Sequence, residues 1–317
     1  MTAEDSNSLE REDEVQENEE IAYADVPLFI PPSVLSVAAH EIDNSTTYHS
    51  PIPQFVSDDA QAPCILGVDE AGRGPVLGPM VYALSYCLKT YGTELKGFGF
   101  ADSKTLTHDV RVDLLRRICD QHDELNRNVG WATRTMSARD ISSGMLRSAS
   151  SRVYNLNEQA HDATIQLIQE TVNRGVNVTE VYVDTVGPPV SYQAKLSKYF
   201  PDIKITVSKK ADSIYPIVSV ASICAKVTRD IGLITRDESG GEWGSGYPSD
   251  PRTSKWLRSA IDPVFGWNPV VRFSWQTTKD LLEKMDNPID VEWDDGQAEF
   301  KKPNTGYWFG QTITTEI

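Results

Sequence analysis

The sequence predicts an α/β fold in which a mixed sheet is flanked by helices. Short apolar segments alternate with amphipathic segments of helical period through the second half of the chain, which is typical of strands separated by helices. Several of the apolar segments run directly into acidic residues or glycine turns, as strands do at the functional edge of an α/β sheet. No run of 18 apolar residues occurs, so no membrane-spanning helix is predicted.

The elements of the first half follow from periodicity and from end signals. Apolar runs or alternation predict strands, spacing of three and four predicts helices, and a serine at the start of a periodic segment predicts a capped helix start. Gly175 predicts the end of the longest helix. The predicted elements are strands at 65–68, 80–88 and 129–136, and helices at 110–118, 137–145 and 155–174.

Predicted strands and helices alternate more regularly in the second half of the chain. A strand at 179–183 runs into Asp184, two prolines open a helix that extends to residue 200, and a further strand covers 203–207. Asp212 is predicted to be the N-cap of a long helix over 213–236.

Charge divides the chain into three parts. Residues 1–62 hold 14 acids and one base and lack sustained periodicity, so we expect a largely disordered acidic tail in which an apolar segment at 26–37 docks. Residues 63–240 form the predicted catalytic domain, and residues 241–317 a C-terminal helical and partner-binding region. Over 63–280 there are 26 bases and 24 acids, so the folded body can bind a polyanion despite a net charge of −16 for the whole chain.

Four acids follow three of the predicted strands. Asp69 and Glu70 end the first strand, Asp184 ends the strand at 179–183, and Asp212 follows the strand at 203–207. If these strand ends share one edge of the sheet, the carboxylates form a site for hard cations such as Mg²⁺ or Mn²⁺. Two ions about 4 Å apart would suit phosphoryl displacement. Because consecutive strand residues point to opposite faces, Asp69 and Glu70 can share a site only if the strand ends or bulges there.

Other segments supply glycines, basic groups and an aromatic ring. The turn 72–75 has the sequence Gly-Arg-Gly-Pro, which lets a backbone approach a ligand closely. A probable helix start at 102–104 can hold a phosphate through backbone N–H groups and a lysine. The further candidates are Lys210, Lys226, Arg229 and, in a turn at 246–251, Tyr247. No P-loop, dinucleotide fingerprint or nucleophile elbow is present.

Five ordered motifs resemble type 2 ribonuclease H. They are GVDEAGRGP at 67–75, DSK at 102–104, DTVG at 184–187, KAD at 210–212 with ASICAKVTRD at 221–230, and GSGYPSDP at 244–251 with RFSW at 272–275. The last pair resembles the catalytic subunit of the heterotrimeric eukaryotic enzymes in particular. The resemblance spans about residues 63–285.

This resemblance implies a ribonuclease H-like fold that cleaves the RNA strand of RNA–DNA hybrids and incises 5′ of single ribonucleotides in duplex DNA. It implies two divalent ions, Mg²⁺ or Mn²⁺, two auxiliary subunits that dock on the C-terminal region, and nuclear localisation. The implied metal ligands and catalytic residues are Asp69, Glu70, Asp184 and Asp212. The implied substrate-binding residues are Gly72, Arg73, Gly74, Ser103, Lys104, Lys210, Lys226, Arg229 and Tyr247.

Two alternatives remain open at this point. A DNA-directed two-metal nuclease of the same fold would have no 2′-hydroxyl to recognise, which the glycine turn and Tyr247 disfavour. A non-catalytic hybrid-binding subunit would need no metal cluster, which the four acids disfavour. Aromatic residues over 267–285, 291–293 and 307–309 exceed what one terminal helix would bury, and they predict the surface on which partner subunits dock.

Overall fold

A six-stranded mixed sheet lies at the centre of the computed structural model, which describes residues 29–36, 43–100, 106–147, 153–185, 187–237 and 240–285. The strands are β1 (Thr46–His49), β2 (Cys64–Ala71), β3 (Met80–Leu88), β4 (Gly130–Met136), β5 (Val178–Asp184) and β6 (Lys204–Ser208). Their order across the sheet is β1-β4-β3-β2-β5-β6. The first four in that order pair antiparallel, whereas β2, β5 and β6 pair parallel. The predicted α/β fold class is therefore confirmed.

Helices cover both faces of this sheet. They are α1 (Pro32–Leu35), α2 (Gln54–Ser57), α3 (His108–Cys119), α4 (Glu124–Asn128), α5 (Ala138–Met145), α6 (Leu156–Asn173), α7 (Pro189–Tyr199), α8 (Ala211–Ile214), α9 (Pro216–Ile234), α10 (Pro251–Ser259) and α11 (Gln276–Glu283), with a 3₁₀ helix at Glu94–Phe98. α6 and α7 pack on one face, and α3 and α9 pack on the other. Because side chains alternate along β2, its even-numbered residues share the α6–α7 face and its odd-numbered residues share the α9 face.

The predicted end signals of α5 and α6 are present in the structure. The side chain of Ser137 accepts a hydrogen bond from the backbone of α5, and Asn155 forms a reciprocal capping box with Glu158 at the start of α6. Gly175 follows the end of α6 with a φ of +92°, which a glycine adopts without strain. Local side-chain chemistry therefore sets the bounds of the helices on which part of the site is built.

The prediction that Asp212 caps one long helix was wrong. Asp212 lies inside the first turn of the short helix α8, and the chain bends at Tyr215 before α9 begins. The physical reason is Pro216, which lacks an N–H and forces the preceding residue out of the helical region. Lys210 precedes α8 in a left-handed conformation, with a φ of 57°.

Part of the segment assigned to the acidic tail is folded. β1 pairs antiparallel with β4 at the edge of the sheet, and Val56 of α2 is buried in the core. α1, within the apolar segment that we expected to dock, packs on α9, where Ser33 Oγ lies 2.8 Å from Thr228 Oγ1. Periodicity did not indicate β1 because all four of its residues are only half-buried. A truncation near residue 60 would remove this strand; residues 1–28 lie outside the described residues.

The described part of the C-terminal region packs on the catalytic domain through a third apolar cluster. Trp267 is buried there, with Trp243, against Val76 and Leu77. Trp267 is one of the aromatic residues that the sequence assigned to partner docking, and it fills the chain's own core instead. The patch at 307–309 and the segment 291–293 lie outside the described residues. Among the helices that the structure describes, none has the length and apolarity to cross a membrane.

Candidate active site

Asp69 and Glu70 both lie within β2, which continues to Ala71 in unbroken register with β3. The expected strand end or bulge at this point is therefore absent from the β2–β3 ladder. The parallel ladder with the neighbouring strand, β5, stops short of these two acids. Its last pair is Val68 and Val183. Asp69 faces α9 and Glu70 faces α6 and α7, at the edge that the end of β5 leaves open.

The pKa of Asp69 is strongly perturbed at this edge. Asp69 is buried, and burial together with the charges of Asp184 and Glu70 raises its pKa well above the usual range of an aspartate. A hydrogen bond from the Ser222 hydroxyl of α9 opposes this rise, and the charge of Asp212 adds to it. The structure thus brings the other three predicted acids close enough to Asp69 for their charges to act on its carboxyl group.

A turn between β6 and α8 fixes the other two acids relative to each other. Asp184 is the last residue of β5, and its Oδ1 accepts a hydrogen bond of 2.9 Å from the backbone N–H of Ala211. Asp212, the next residue, is buried. The left-handed conformation of Lys210 turns the chain so that this N–H reaches Asp184. The strain of that conformation is of the kind found at functional sites.

The four acids have the chemistry of ligands for a divalent cation. Asp184, Glu70 and Asp212 lie close enough to Asp69 for their charges to add to the effect of burial on its pKa, and neutralisation by a cation would relieve this repulsion. Carboxylate oxygens are the ligands that Mg²⁺ and Mn²⁺ prefer. In the described residues no three His, Cys, Asp or Glu side chains are arranged to hold a metal ion. The acids are therefore gathered at one edge, without the arrangement of a formed metal site.

The turn after β2 is held by a fully buried arginine. Arg272 donates from Nη2 to the carbonyl of Gly72 at 2.6 Å, from Nη1 to the carbonyl of Arg73 at 3.0 Å and from Nε to the carbonyl of Gly78 at 2.9 Å. Gly72 has a φ of +77°, and a Cβ there would lie 2.7 Å from the carbonyl oxygen of Pro79. The turn therefore requires glycine at this position, and Arg272 fixes the direction of its carbonyl groups.

Cationic side chains accumulate around this turn. Burial, and then the charges of Arg229 and Arg73, lower the pKa of Arg272 to about 9, so the guanidinium stays protonated at neutral pH. Its hydrogen-bond acceptors are backbone carbonyls rather than carboxylates. Fixed positive charge beside a glycine turn favours an anionic ligand.

Tyr247 lies against the same turn. A Cβ on Gly74 would lie 3.4 Å from the ring of Tyr247, which is an ordinary van der Waals distance, so the backbone of the turn and the ring are close neighbours. The backbone of the Tyr247 turn is tied to the catalytic domain, because Gly246 accepts hydrogen bonds from Val76 at 2.8 Å and from Leu77 at 3.2 Å. The structure thus places Tyr247 beside the predicted substrate-reading glycines.

The predicted phosphate-binding residues differ in how they are placed. Lys226 is half-buried on α9, one turn after Ser222. Arg229 is buried: it bonds Asp230 at 2.9 Å and the carbonyl of Ser245 at 3.3 Å, and it lies 5.9 Å from the centre of the Tyr247 ring. In this arrangement Arg229 supports the Tyr247 turn. Lys210 is exposed, and Ser103 and Lys104 lie outside the described residues.

Two contacts at this site were not predicted from the residues themselves. The Ser222 hydroxyl bonds Asp69, and Trp275 donates from Nε1 to the carbonyl of Gly74 at 3.0 Å. Arg272 and Trp275 entered the sequence analysis only as part of a motif. The available signal was that Arg272 lies among apolar residues in 270–275, since a charged residue that is fully buried is usually paired.

Comparisons with known proteins agree with this geometry. The family model described as ribonuclease HII matches residues 66–278. The curated ribonuclease H2 A subunit of Schizosaccharomyces pombe is 50% identical over 96% of this chain and 94% of its own length, and that of Homo sapiens is 46% identical over 79% and 81%. A crystal structure of ribonuclease H2 from Pyrococcus horikoshii superposes with a TM-score of 0.58 at 31% identity, covering 69% of this chain and 97% of the other.

The family match covers most of the described residues, including the acids, the glycine turn, Tyr247 and Arg272. The fission-yeast relative aligns along nearly the whole chain, which agrees with the motifs that pointed to the catalytic subunit. The chain belongs to the ribonuclease HII family and is an endoribonuclease of ribonuclease H type 2.

Proposed function

We propose that the protein cleaves the RNA strand of RNA–DNA hybrids and incises 5′ of single ribonucleotides embedded in duplex DNA. The observation that carries this proposal is the meeting of two features at one edge of the sheet. The charges of the other three acids act on Asp69, and the chain that follows Asp69 and Glu70 enters the glycine turn that Arg272 holds and Tyr247 contacts. Hydrolytic chemistry and sugar recognition would thus be built on adjacent residues.

The glycine turn would read the sugar. The 2′-hydroxyl distinguishes RNA from DNA, and it both donates and accepts hydrogen bonds. Gly72, Arg73 and Gly74 would present backbone groups to it and to the adjacent phosphates at close range, since no Cβ intervenes at the glycines. Tyr247 would stack on the sugar at the RNA–DNA junction, next to Gly74.

Asp69, Glu70, Asp184 and Asp212 would hold two divalent ions, Mg²⁺ or Mn²⁺. When bound, the ions supply Lewis-acid stabilisation of the attacking and leaving oxygens. The Ser222 hydroxyl would keep the Asp69 carboxylate oriented, and the N–H of Ala211 would do the same for Asp184. These hydrogen bonds belong to the protein itself and are in place before substrate arrives.

The rest of the duplex would be held through its phosphates. Lys104, Lys210 and Lys226 are the candidates, with Ser103 at the same turn as Lys104, and Arg229 would act both on a phosphate and on the Tyr247 turn. Such contacts carry little sequence information and weaken as salt rises. We therefore expect cleavage with little sequence preference.

One assay tests the proposed function directly. The full chain, co-expressed with partner subunits where activity requires them, is given a labelled DNA duplex that contains one ribonucleotide, with Mg²⁺ or with EDTA. Incision 5′ of the ribonucleotide in Mg²⁺ alone supports the proposal. Equal cleavage of an all-DNA duplex would favour the DNA-directed nuclease, and tight binding without cleavage would favour the non-catalytic hybrid-binding protein.

Substituting Tyr247 by alanine is expected to reduce incision at a single ribonucleotide more than cleavage of a long hybrid. The substitution removes ring stacking worth roughly 1–3 kcal/mol. Every productive complex at a single ribonucleotide loses this stacking, whereas a long hybrid can bind in many registers, which partly masks the loss. The ratio of kcat/KM on the two substrates measures the effect. Equal losses on both substrates would contradict a junction-specific role.

We also propose two auxiliary subunits as partners, docking on the C-terminal region, and a nuclear location. The relatives are named as one subunit of ribonuclease H2, which supports a multi-subunit complex. Residues 300–317 contain Tyr-Trp-Phe at 307–309 in an otherwise polar stretch, which suits an interface anchor. Exposed Val264 and Phe265, the latter 80% accessible, add an apolar patch within the described C-terminal region.

Deletion of residues 300–317 is expected to abolish co-purification with the partner subunits while the catalytic domain stays folded. The reason is that this segment holds the terminal aromatic anchors and none of the four acids. Co-expression with pull-down measures the complex, and circular dichroism with thermal melting measures the fold. Unchanged affinity for both partners would refute the C-terminal docking site.

A further inference from the structure

Three polar side chains lie in a row across neighbouring strands at the site. Val68 of β2 pairs with Val183 of β5, so the next residues, Asp69 and Asp184, lie at the same level of the sheet. Asp184 pairs in turn with Ser208, the last residue of β6. Each of the three follows a valine that is buried against α6 and α7, so all three lie on the opposite face of the sheet, toward α9.

Ser208 is the member of this row whose side chain is unsatisfied. Its hydroxyl oxygen is buried and has no hydrogen-bond partner within the part of the chain that the structure describes. Arg111 and Arg229 also have one buried nitrogen of this kind, but their guanidinium groups donate through other nitrogens. Serine has a single polar side-chain atom, and a buried hydroxyl without a partner is costly and rare in folded proteins.

The topology leaves Ser208 one neighbour within the sheet. β6 is the last strand in the sheet order, so Ser208 has a paired residue on one side only, and that residue is Asp184. Neighbouring strands lie about 4.8 Å apart, a distance that a side-chain rotation can reduce to a hydrogen bond. The turn after β6 folds back over the same place, because the N–H of Ala211 donates to Oδ1 of Asp184 at 2.9 Å.

A donor in this position matches what a metal ligand needs. Carboxylates that bind a metal are usually oriented by hydrogen bonds from surrounding groups, and these groups tune the affinity for the ion. Within the described residues the acids are not arranged to hold an ion, so their carboxylates have to turn when one binds. Ala211 already holds one oxygen of Asp184, and the hydroxyl of Ser208 can supply a second donor from the neighbouring strand.

We propose that Ser208 is a positioning residue of the metal site: in the metal-bound protein its hydroxyl donates to the Asp184 carboxylate and, together with the N–H of Ala211, fixes the direction in which that carboxylate faces the ion. This inference rests on the proposed function, since the divalent ions belong to it. Ser208 itself is not a ligand, and its effect passes through Asp184.

Binding of Mn²⁺ in the absence of substrate tests this role. Ser208→Ala removes the hydroxyl, and we expect the Kd for Mn²⁺, measured by isothermal titration calorimetry, to rise about tenfold, as is typical when a group that orients a metal ligand is lost. Ser208→Thr keeps a hydroxyl at a strand position that suits a β-branched residue, and it should bind Mn²⁺ within about twofold of the unmodified protein.

Thermal melting separates this role from a purely structural one. Because the hydroxyl has no partner within the described residues, Ser208→Ala should melt in EDTA at the temperature of the unmodified protein or above it. In Mn²⁺ its Tm should rise less than that of the unmodified protein, since stabilisation by a ligand follows the affinity for that ligand. A purely structural hydroxyl would give the opposite pattern, with a lower Tm in EDTA and an unchanged rise in Mn²⁺.

Thr206→Val is the matched control. Thr206 lies on the same face of β6, two positions before Ser208, but it pairs with Tyr182 and not with an acid. The substitution removes a hydroxyl with little change in shape. We expect it to leave the Kd for Mn²⁺ and the rise of Tm in Mn²⁺ unchanged.

The outcomes separate the role of Ser208 from the proposed function. Unchanged Mn²⁺ affinity in Ser208→Ala would overturn the inference. A lower Tm of this variant in EDTA would also overturn it, by showing that the hydroxyl has a partner, such as a buried water, before an ion binds. An equal loss of affinity in Thr206→Val would do the same, by showing a general effect of removing a hydroxyl from β6. If the unmodified protein neither binds Mn²⁺ nor cleaves the single-ribonucleotide duplex, the proposed function fails and the role of Ser208 fails with it.

Discussion

Asp69→Asn and Asp184→Asn are expected to lower the rate of cleavage in Mg²⁺ by about a thousandfold or more while the fold persists. Each substitution removes a carboxylate from the acid cluster, and metal-assisted stabilisation of the transition state contributes several kcal/mol. The amide is nearly isosteric with the carboxylate, and in Asp184→Asn the new side chain retains an oxygen to accept the hydrogen bond from Ala211. The loss should therefore appear in kcat and not in the yield of folded protein.

The same substitution at Asp69 is expected to stabilise the metal-free protein at neutral pH. Because the folded-state pKa of Asp69 is raised, protonation favours the fold; that stabilisation is fully present below the ordinary pKa of an aspartate and is lost as the pH rises through the raised value. At pH values above the ordinary pKa of an aspartate, Asp69 thus destabilises the fold, and asparagine removes both the cost of burying the carboxyl group and the repulsion from Asp184, Glu70 and Asp212. Gains in stability with loss of activity are common at such sites.

Thermal melting in EDTA across pH 4–8, paired with single-turnover cleavage in Mg²⁺, measures both effects. Asp69→Asn should melt above the unmodified chain near pH 7, and the difference should shrink on acidification. Asp113→Asn, at an exposed acid of α3, is the control and should change neither quantity. Folded Asp69→Asn and Asp184→Asn proteins with near-normal rates in Mg²⁺ would contradict the assignment of the acids.

The sequence predicted most strands and helices because their ends carry local signals. β5 runs into Asp184, and α6 begins at Asn155 and ends before Gly175, as expected. The errors occurred where a tertiary contact or a single proline decides the structure. β1 is an edge strand with no buried residue, so only its pairing with β4 defines it. Pro216 separates α8 from α9 and changes Asp212 from an N-cap to a residue inside a turn.

The candidate site was only partly predictable for a related reason. The acids and glycines stand out in sequence because an adjacent Asp-Glu pair at 69–70 follows an apolar segment and precedes a glycine turn, and the structure brings all four acids to one edge of the sheet. Arg229 was expected to bind a phosphate. Its burial against Asp230 and Ser245 depends on tertiary contacts, which the sequence does not indicate. Ser222 carries no local signal at all, because it acts on Asp69, which lies about 150 positions away in sequence.

Arg272 shows most clearly how much depends on such distant contacts. Its guanidinium is fully buried, and it joins the C-terminal region to the turn after β2 across about 200 positions of sequence. It also lies over the ring of Trp275, with Cζ 4.6 Å from the ring centre, and the indole of Trp275 donates to Gly74. One side chain thus orients three consecutive residues of the glycine turn, directly or through its neighbour.

Arg272→Ala is therefore expected to destabilise the protein and to remove activity together. The substitution leaves the carbonyls of Gly72, Arg73 and Gly78 without their donors, and each buried unsatisfied group costs about 1–3 kcal/mol. A loss of roughly 3 kcal/mol or more follows, which corresponds to about 6–12 °C in Tm for a domain of this size. Thermal melting and chemical denaturation measure this change.

Arg272→Lys separates the role in the site from the role in stability. Lysine keeps the positive charge and the aliphatic stem, but one ammonium group cannot reach three carbonyls with the geometry of a guanidinium. We expect a kcat/KM at least about tenfold lower on the single-ribonucleotide duplex, with a smaller thermal shift than in Arg272→Ala. The matched control is Arg174→Lys at the far end of α6, where an arginine also donates to a backbone carbonyl, that of Ser50 at 2.8 Å. Similar losses of kcat/KM in both lysine variants would show that Arg272 acts on general stability alone. A loss confined to Arg272→Lys would show that cleavage requires the orientation of the glycine turn that Arg272 sets.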